Sequence, residues 1–198
     1  SVGLPKNENG NTETGHLNLG AGRVIYQELM RINMSIADGS FFENEALKGA
    51  FEHAKKANSR LHLIGLIGEG GVHSNMGHIF ALLQLAKKLS FKNVFLHLFT
   101  DGRDSPTTSA KIYISRVREV IAKEGLGQIA SIMGRFWGMD RDLRWERTAK
   151  AYFALTKGQA NLYQTPEGAI EVAYAHGVTD EFIEPAVMTD TAGLPLAQ

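Results

Sequence analysis

The chain has 198 residues, 43% of them hydrophobic, and its 21 basic side chains balance 21 acidic ones. Such a chain can bury a core, and the absence of net charge excludes a broad electrostatic attraction to nucleic acid or an anionic membrane. Cysteine is absent, which excludes disulfides and thiolate metal sites; no apolar run approaches the roughly 20 residues that cross a bilayer, so the expected location is the cytoplasm. In chain order, residues 1–22 mix glycine, asparagine and threonine with little apolar periodicity and read as loop. A short helix is expected between Gly22 and Met34. A second begins at a Ser40 cap and carries Phe41, Phe42, Leu47, Ala50, Phe51 and Ala54 at three-to-four-residue spacing as far as Asn58.

The next hundred residues alternate in type. Leu61 to Ile67, Val94 to Phe99 and Ile129 to Met133 are apolar runs of strand length. Between them lie a helix from Gly77 to Leu89 and another, capped by Thr107 or Thr108, that carries Ile112, Ile114, Val117, Val120 and Ile121. Helices follow from about Arg141 to Thr156 and from about Pro166 to His176, then a last short strand from Phe182 to Val187. This rhythm predicts an α/β fold, an open and mostly parallel sheet flanked by helices. Residues 1–22 read as a linker or strip of another domain, 23–188 as the main domain, and 189–198 as a linker or frayed end.

Each of the three strands runs into a polar loop: GEGGVHS, TDGRDS and GRFWGMDRD. Parallel strands deliver their C-terminal loops to one edge, so His73, Arg103, Asp104, Arg135 and Arg141 become one candidate site. Arginine forks beside a histidine and an acid point to a bound anion, such as a small phosphorylated acid. Each residue also has a plainer reading. His73 can cap the following helix, and Arg103 with Asp104 can be an internal pair that stiffens its loop. Arg144 and Arg147 read as a solvated helical face, and Trp145 and Tyr152 as core. Near the start, Thr12 offers a hydroxyl with Glu13 and His16 close by, but it can equally serve as a helix cap. The remaining histidines show no compact ligand spacing.

In this order, GNTETGHLNLGAGRVIYQ, DGSFFEN, GGVHS, DGRD and GRFWGMDRDLRWER resemble the cofactor-independent (2,3-bisphosphoglycerate-independent) phosphoglycerate mutases over nearly the entire chain. The resemblance implies interconversion of 3-phosphoglycerate and 2-phosphoglycerate in glycolysis by a cytoplasmic, monomeric isomerase that binds neither nucleic acid nor membrane. It also implies two domains, a metal-bearing one of alkaline-phosphatase type and an inserted transferase domain; this sequence is similar to the insert. By that likeness His73 contacts substrate, Arg103 and Asp104 bind the glycerate portion, and Arg135 and Arg141 hold carboxylate or phosphate. Thr12 stands at the family's serine, which takes the phosphoryl group while bound to manganese (Mn2+), and Asn11 helps bind that group. Asp104 is the expected proton-exchanging acid. Three departures stand out. Thr12 replaces serine, Asn75 stands where histidine is common, and the Asp/His clusters that hold the two metal ions are absent from this chain. Two other readings stay open: an isolated phosphoanion-binding domain without turnover, and a metal-dependent phosphatase.

Overall fold

A computed structural model describes residues 3–4, 10 and 12–196. Helices α1 (Thr12–Ala21) and α2 (Glu28–Asp38) precede a 3-10 turn at Ser40–Glu43 and helix α3 (Glu45–Lys56). Strands β1 (Leu61–Ile67), β2 (Val94–Thr100) and β3 (Gln128–Gly134) then alternate with α4 (Met76–Lys88) and α5 (Ala110–Glu124). The short α6 (Arg135–Gly138) leaves β3 directly. After it come α7 (Trp145–Lys157), β4 (Asn161–Tyr163), α8 (Pro166–Ala175), a 3-10 turn at Asp180–Phe182, and β5 (Ala186–Met188). The sheet order is β1-β2-β3-β5-β4. Strands β1, β2 and β3 are parallel, whereas β5 pairs antiparallel with β3 and parallel with β4. The sheet is therefore mostly parallel with helices packed on it, as the strand–helix rhythm predicts.

Alternate side chains of β2 serve opposite faces. Val94, Leu96 and Leu98 enter the larger core with Leu83, Leu85, Ile114, Ile132 and Ile170, beneath α3, α4, α5 and α8. Phe99 faces the other side, where Leu66, Met133 and Val187 meet Ala151 and Ala154 of α7. Each fully buried Leu or Ile of the larger cluster contributes about 1.5–3 kcal/mol. Polar His97 also lies on the second face, 3% exposed. Its Nδ1 is 2.8 Å from Ser131 Oγ and its Nε2 is 2.9 Å from His62 Nδ1, so both ring nitrogens are engaged. Burial, and secondarily the neighbouring His62, push its pKa down to about 4, which keeps the ring neutral at neutral pH.

The structure corrects several sequence expectations. Residues 12–21 form α1 rather than loop; its apolar residues do not gather on one face, and Leu17 and Leu19 stay exposed, so no periodicity could reveal it. Ser40 does not cap the following helix. Asp38 Oδ1 accepts from both its N–H and its hydroxyl, and Asn44 caps α3 by accepting from Ala46 and Leu47 N–H. Neither Thr107 nor Thr108 caps α5, because the Asp180 carboxylate takes the N–H groups of Ser109 and Ala110 at 2.8 Å each. Arg141 does not start a helix but lies in the segment before α7. The last strand begins at Ala186, after a 3-10 turn, and β4 is an additional strand. Trp145 and Tyr152, expected in the core, are 68% and 57% exposed.

Candidate anion-binding site

The three parallel strands end at one level of the sheet. Ile67 pairs with Thr100, and Thr100 pairs with Gly134. The residues after these ends therefore start side by side and pack against one another. An ideal Cβ on Gly68 would lie 2.5 Å from Ser105 Oγ, and one on Gly70 would lie 2.8 Å from the Asp104 carbonyl oxygen, so the first loop fits the second only because its backbone is bare. Ser105 Oγ accepts from the N–H groups of Glu69 and Gly70, at 3.0 and 3.3 Å. Within the second loop, Asp101 Oδ1 accepts from Asp104 N–H at 3.2 Å while Gly102 takes φ 65°, which folds Arg103 and Asp104 back over the strand ends.

Arg135 joins the second and third loops. Its Nη1 donates to Asp101 Oδ1 at 2.7 Å and to Asp104 Oδ2 at 2.6 Å, and its side chain is 11% exposed. Burial alone pushes the Asp101 carboxyl up, but hydrogen bonds from Arg135, Ser105 and the Asp104 backbone outweigh it and hold Asp101 below the usual carboxylate range. The same contacts act on Arg135: burial lowers its pKa, and the bonds to Asp104 and Asp101 more than reverse that. Arg135 is thus fixed as a cation.

A cavity of about 400 Å³ opens above this pair. His73, Arg103, Asp104, Arg135 and Arg141 all line it, with Arg147, Glu181, Asp140 and Asp142. Its acids face arginines: Asp104 faces Arg135, Glu181 lies 3.5 Å from Arg103, and Asp140 and Asp142 lie 3.3 and 3.7 Å from Arg147. Arg141 differs. It is exposed on the segment between α6 and α7 and has no hydrogen-bond or ion-pair partner among the described residues. His73 Nε2 lies 3.8 Å from Asp104 Oδ2, too far for a hydrogen bond but close enough for a shared ligand. The site therefore offers the Arg141 guanidinium, unpaired among the described residues, a fixed guanidinium at its floor, and the exposed Arg103, paired with Glu181, beside an imidazole. A second cavity of about 440 Å³ lies around Gly127 and Gln128, at the start of β3, and its charged lining residue, Arg118, is already forked onto Glu167 at 2.5 and 2.9 Å. Of these two, the first is the one with guanidinium groups open to an anion.

Some residues stand elsewhere or escaped sequence reasoning. Thr12 is exposed on α1 and is not among the residues lining the cavity; its carbonyl oxygen lies 2.7 Å from His16 Nδ1. Asn11 lies outside the described residues. Arg147, read as a solvated helical residue, instead lines the cavity, stacks 3.8 Å from the Phe136 ring centroid and pairs with Asp140, whose side chain is 3% exposed. Asp140 Oδ2 also accepts from Arg144 N–H, which pins the segment carrying Arg141. Glu181 comes from a turn far along the chain, and no local motif marks it. Among the described residues no group of three or more His, Cys, Asp or Glu is placed to hold a metal ion.

The sequence profile described as BPG-independent PGAM N-terminus matches residues 32–197. A protein of Moorella thermoacetica named 2,3-bisphosphoglycerate-independent phosphoglycerate mutase is 52% identical over 197 residues, covering 100% of this chain and 38% of that protein. One of the same name from Clostridium beijerinckii is 49% identical, with the same coverage. Among solved structures, Leishmania mexicana phosphoglycerate mutase, crystallised at low cobalt concentration, superposes with a TM-score of 0.88 at 34% identity, over 100% of this chain and 38% of that one. The chain thus spans little more than a third of the length of these relatives, and it belongs to the BPG-independent phosphoglycerate mutase N-terminus family.

Proposed function

We propose that this chain is the phosphoglycerate-holding part of an isomerase that interconverts 3-phosphoglycerate and 2-phosphoglycerate in the glycolysis of the cytoplasm. The observation that carries the reading is the convergence of Arg103, Arg135, Arg141 and His73, from the segments after three separate strands, on one cavity. Phosphoglycerate bears a carboxylate and a phosphate, and the separated guanidinium groups suit two anionic ends of one small molecule. In this proposal the phosphoryl group passes to Thr12 Oγ1, which Asn11 helps to receive, and returns to the other glycerate hydroxyl. Between those events Arg103, Arg135 and Arg141 hold the glycerate. Asp104, fixed by Arg135 on one oxygen, exchanges protons with the glycerate hydroxyls.

The described residues do not fit a metal centre. The two Mn2+ ions that the family resemblance implies are assigned to the remainder of the polypeptide, with Thr12 as the one ligand from this chain. The division at residues 22 and 188 follows the same reading, and so does a monomeric protein. None of the described helices is long and apolar enough to cross a membrane. A second reading has its own support: Thr12 lies apart from the cavity lining, which favours binding without turnover by this chain alone.

Retention of glycerate separates a mutase from a phosphatase, and that gives the test. In the complete protein, Arg103→Ala is expected to lower formation of 2-phosphoglycerate at least about tenfold more than release of inorganic phosphate, because only the first requires the glycerate to stay bound. Both rates are read from one reaction mixture by phosphorus NMR. Equal losses contradict the proposal.

A further inference from the structure

The turn at Asp180–Phe182 is wedged between two loops of the site. An ideal Cβ on Gly102 would stand 2.6 Å from Glu181 N, and one on Gly134 would stand 2.1 Å from Glu181 O. Gly134 has φ −66° and ψ 149°, angles open to any residue, so its missing side chain answers to the approach of the Glu181 backbone. The residue before it is equally fixed. Asp180 N–H donates to Thr107 O at 2.8 Å, its carbonyl accepts from Thr100 Oγ1 at 2.7 Å, and its carboxylate accepts from Ser109 and Ala110 N–H. These contacts seat the Glu181 backbone firmly between the two loops. Its side chain, 18% exposed, lines the cavity with Oε1 3.5 Å from Arg103 Nη1. The Arg103 side chain is 59% exposed, and Glu181 is the one side-chain partner of its guanidinium among the described residues.

We infer that Glu181 is the positioning residue for Arg103: it holds the guanidinium at the cavity rim so that the free edge, Nη2 with Nε, faces the incoming anion. The inference rests on the phosphoglycerate reading for the identity of that anion. A guanidinium gripped at one Nη keeps a parallel pair of donors for a carboxylate or phosphate. Released, a long exposed side chain must be ordered again at each binding event, which costs affinity. The Glu181 charge itself repels an anion, but Arg103 neutralises it at close range and water screens the rest. Orientation is therefore the larger effect.

The test is a double-mutant cycle on the full chain, titrated with 3-phosphoglycerate and separately with inorganic phosphate, with the Arg103 side-chain ¹⁵Nε resonance as a second readout. Glu181→Ala is expected to weaken 3-phosphoglycerate binding about three- to tenfold, and Glu181→Gln, which keeps an acceptor oxygen, about twofold or less. In an Arg103→Ala background, where nothing neutralises the Glu181 charge, Glu181→Ala is expected to cause no weakening and at most a slight gain in binding. The Arg103 resonance is expected to show faster guanidinium rotation in Glu181→Ala. Equal weakening in both backgrounds, tighter binding by Glu181→Ala with Arg103 in place, or an unchanged Arg103 resonance overturns the inference. Should neither probe bind the wild-type chain while the resonance responds as stated, the phosphoglycerate reading falls and the positioning role stands.

Discussion

Arg135→Ala is expected to destabilise the chain by about 3–5 kcal/mol and to weaken phosphoglycerate binding about 100-fold. The stability loss comes from Asp101, which is 2% exposed and receives the Arg135 Nη1 at 2.7 Å. Removing the guanidinium leaves a carboxylate in the interior with its burial penalty and without its cation. Asp104 loses the same anchor, at 2.6 Å, and with it the geometry of the second loop. Arg135→Lys keeps the charge, but its single ammonium must reproduce the place of Nη1 between Asp101 and Asp104 and offers no Nε or Nη2 donor for an anion, so an intermediate loss is expected. The pH dependence follows from the depressed Asp101 pKa. A carboxyl whose folded pKa lies below its unfolded value of about 3.9 contributes stability above that pH and loses it as pH falls through the folded pKa. That contribution is absent from Arg135→Ala, and protonation relieves its stranded carboxylate. Urea denaturation at pH 7 and pH 3.5 should therefore show the gap between wild type and variant narrowing in acid; a gap that widens contradicts this account.

Asp180→Ala is expected to cost about 2–4 kcal/mol, while Asp180→Asn costs about 1 kcal/mol or less. Asp180 is 0% exposed. Its Oδ2 accepts from Ser109 and Ala110 N–H at the start of α5, and its Oδ1 accepts from the Tyr174 hydroxyl. Burial raises the Asp180 pKa against these hydrogen bonds, and burial together with Asp180 raises that of Tyr174, so the phenol remains a donor at neutral pH. Alanine abandons those donors in the interior. Asparagine keeps an oxygen for the helix start and turns an amide toward the phenol oxygen, which can accept. Denaturant midpoints with an unchanged slope would report this difference as stability. Equal losses for the two variants would show that charge, rather than satisfied donors, is what Asp180 supplies.

The alternation of apolar runs with helical periods made β1 to β3, α4, α5 and α8 legible, because those elements bury a face and their sequences repeat accordingly. Residues following a strand end could likewise be nominated for one site, since parallel strands align their C-terminal ends; the register of Ile67, Thr100 and Gly134 is the structural form of that argument. What stayed hidden depends on partners distant in sequence. Glu181 meets Arg103 78 residues away, and Asp180 caps α5 from 71 residues away, so no local spacing announces either. In sequence Arg147 reads as solvated because Asp142 and Glu146 stand near it as exposed helical pairing partners, whereas the segment before the helix folds Asp140 and Phe136 against it. Strand β4, of three residues, is too short for its period to emerge from turn sequence.

Whether the loops after β1, β2 and β3 form a single anion site is decided by a crystal structure of the chain soaked with 3-phosphoglycerate. The ligand is expected in the cavity of about 400 Å³, within hydrogen-bond distance of Arg103, Arg135 and Arg141. Ligand bound instead around Arg118 at the start of β3, or held in the first cavity without contact to those three arginines, would contradict it.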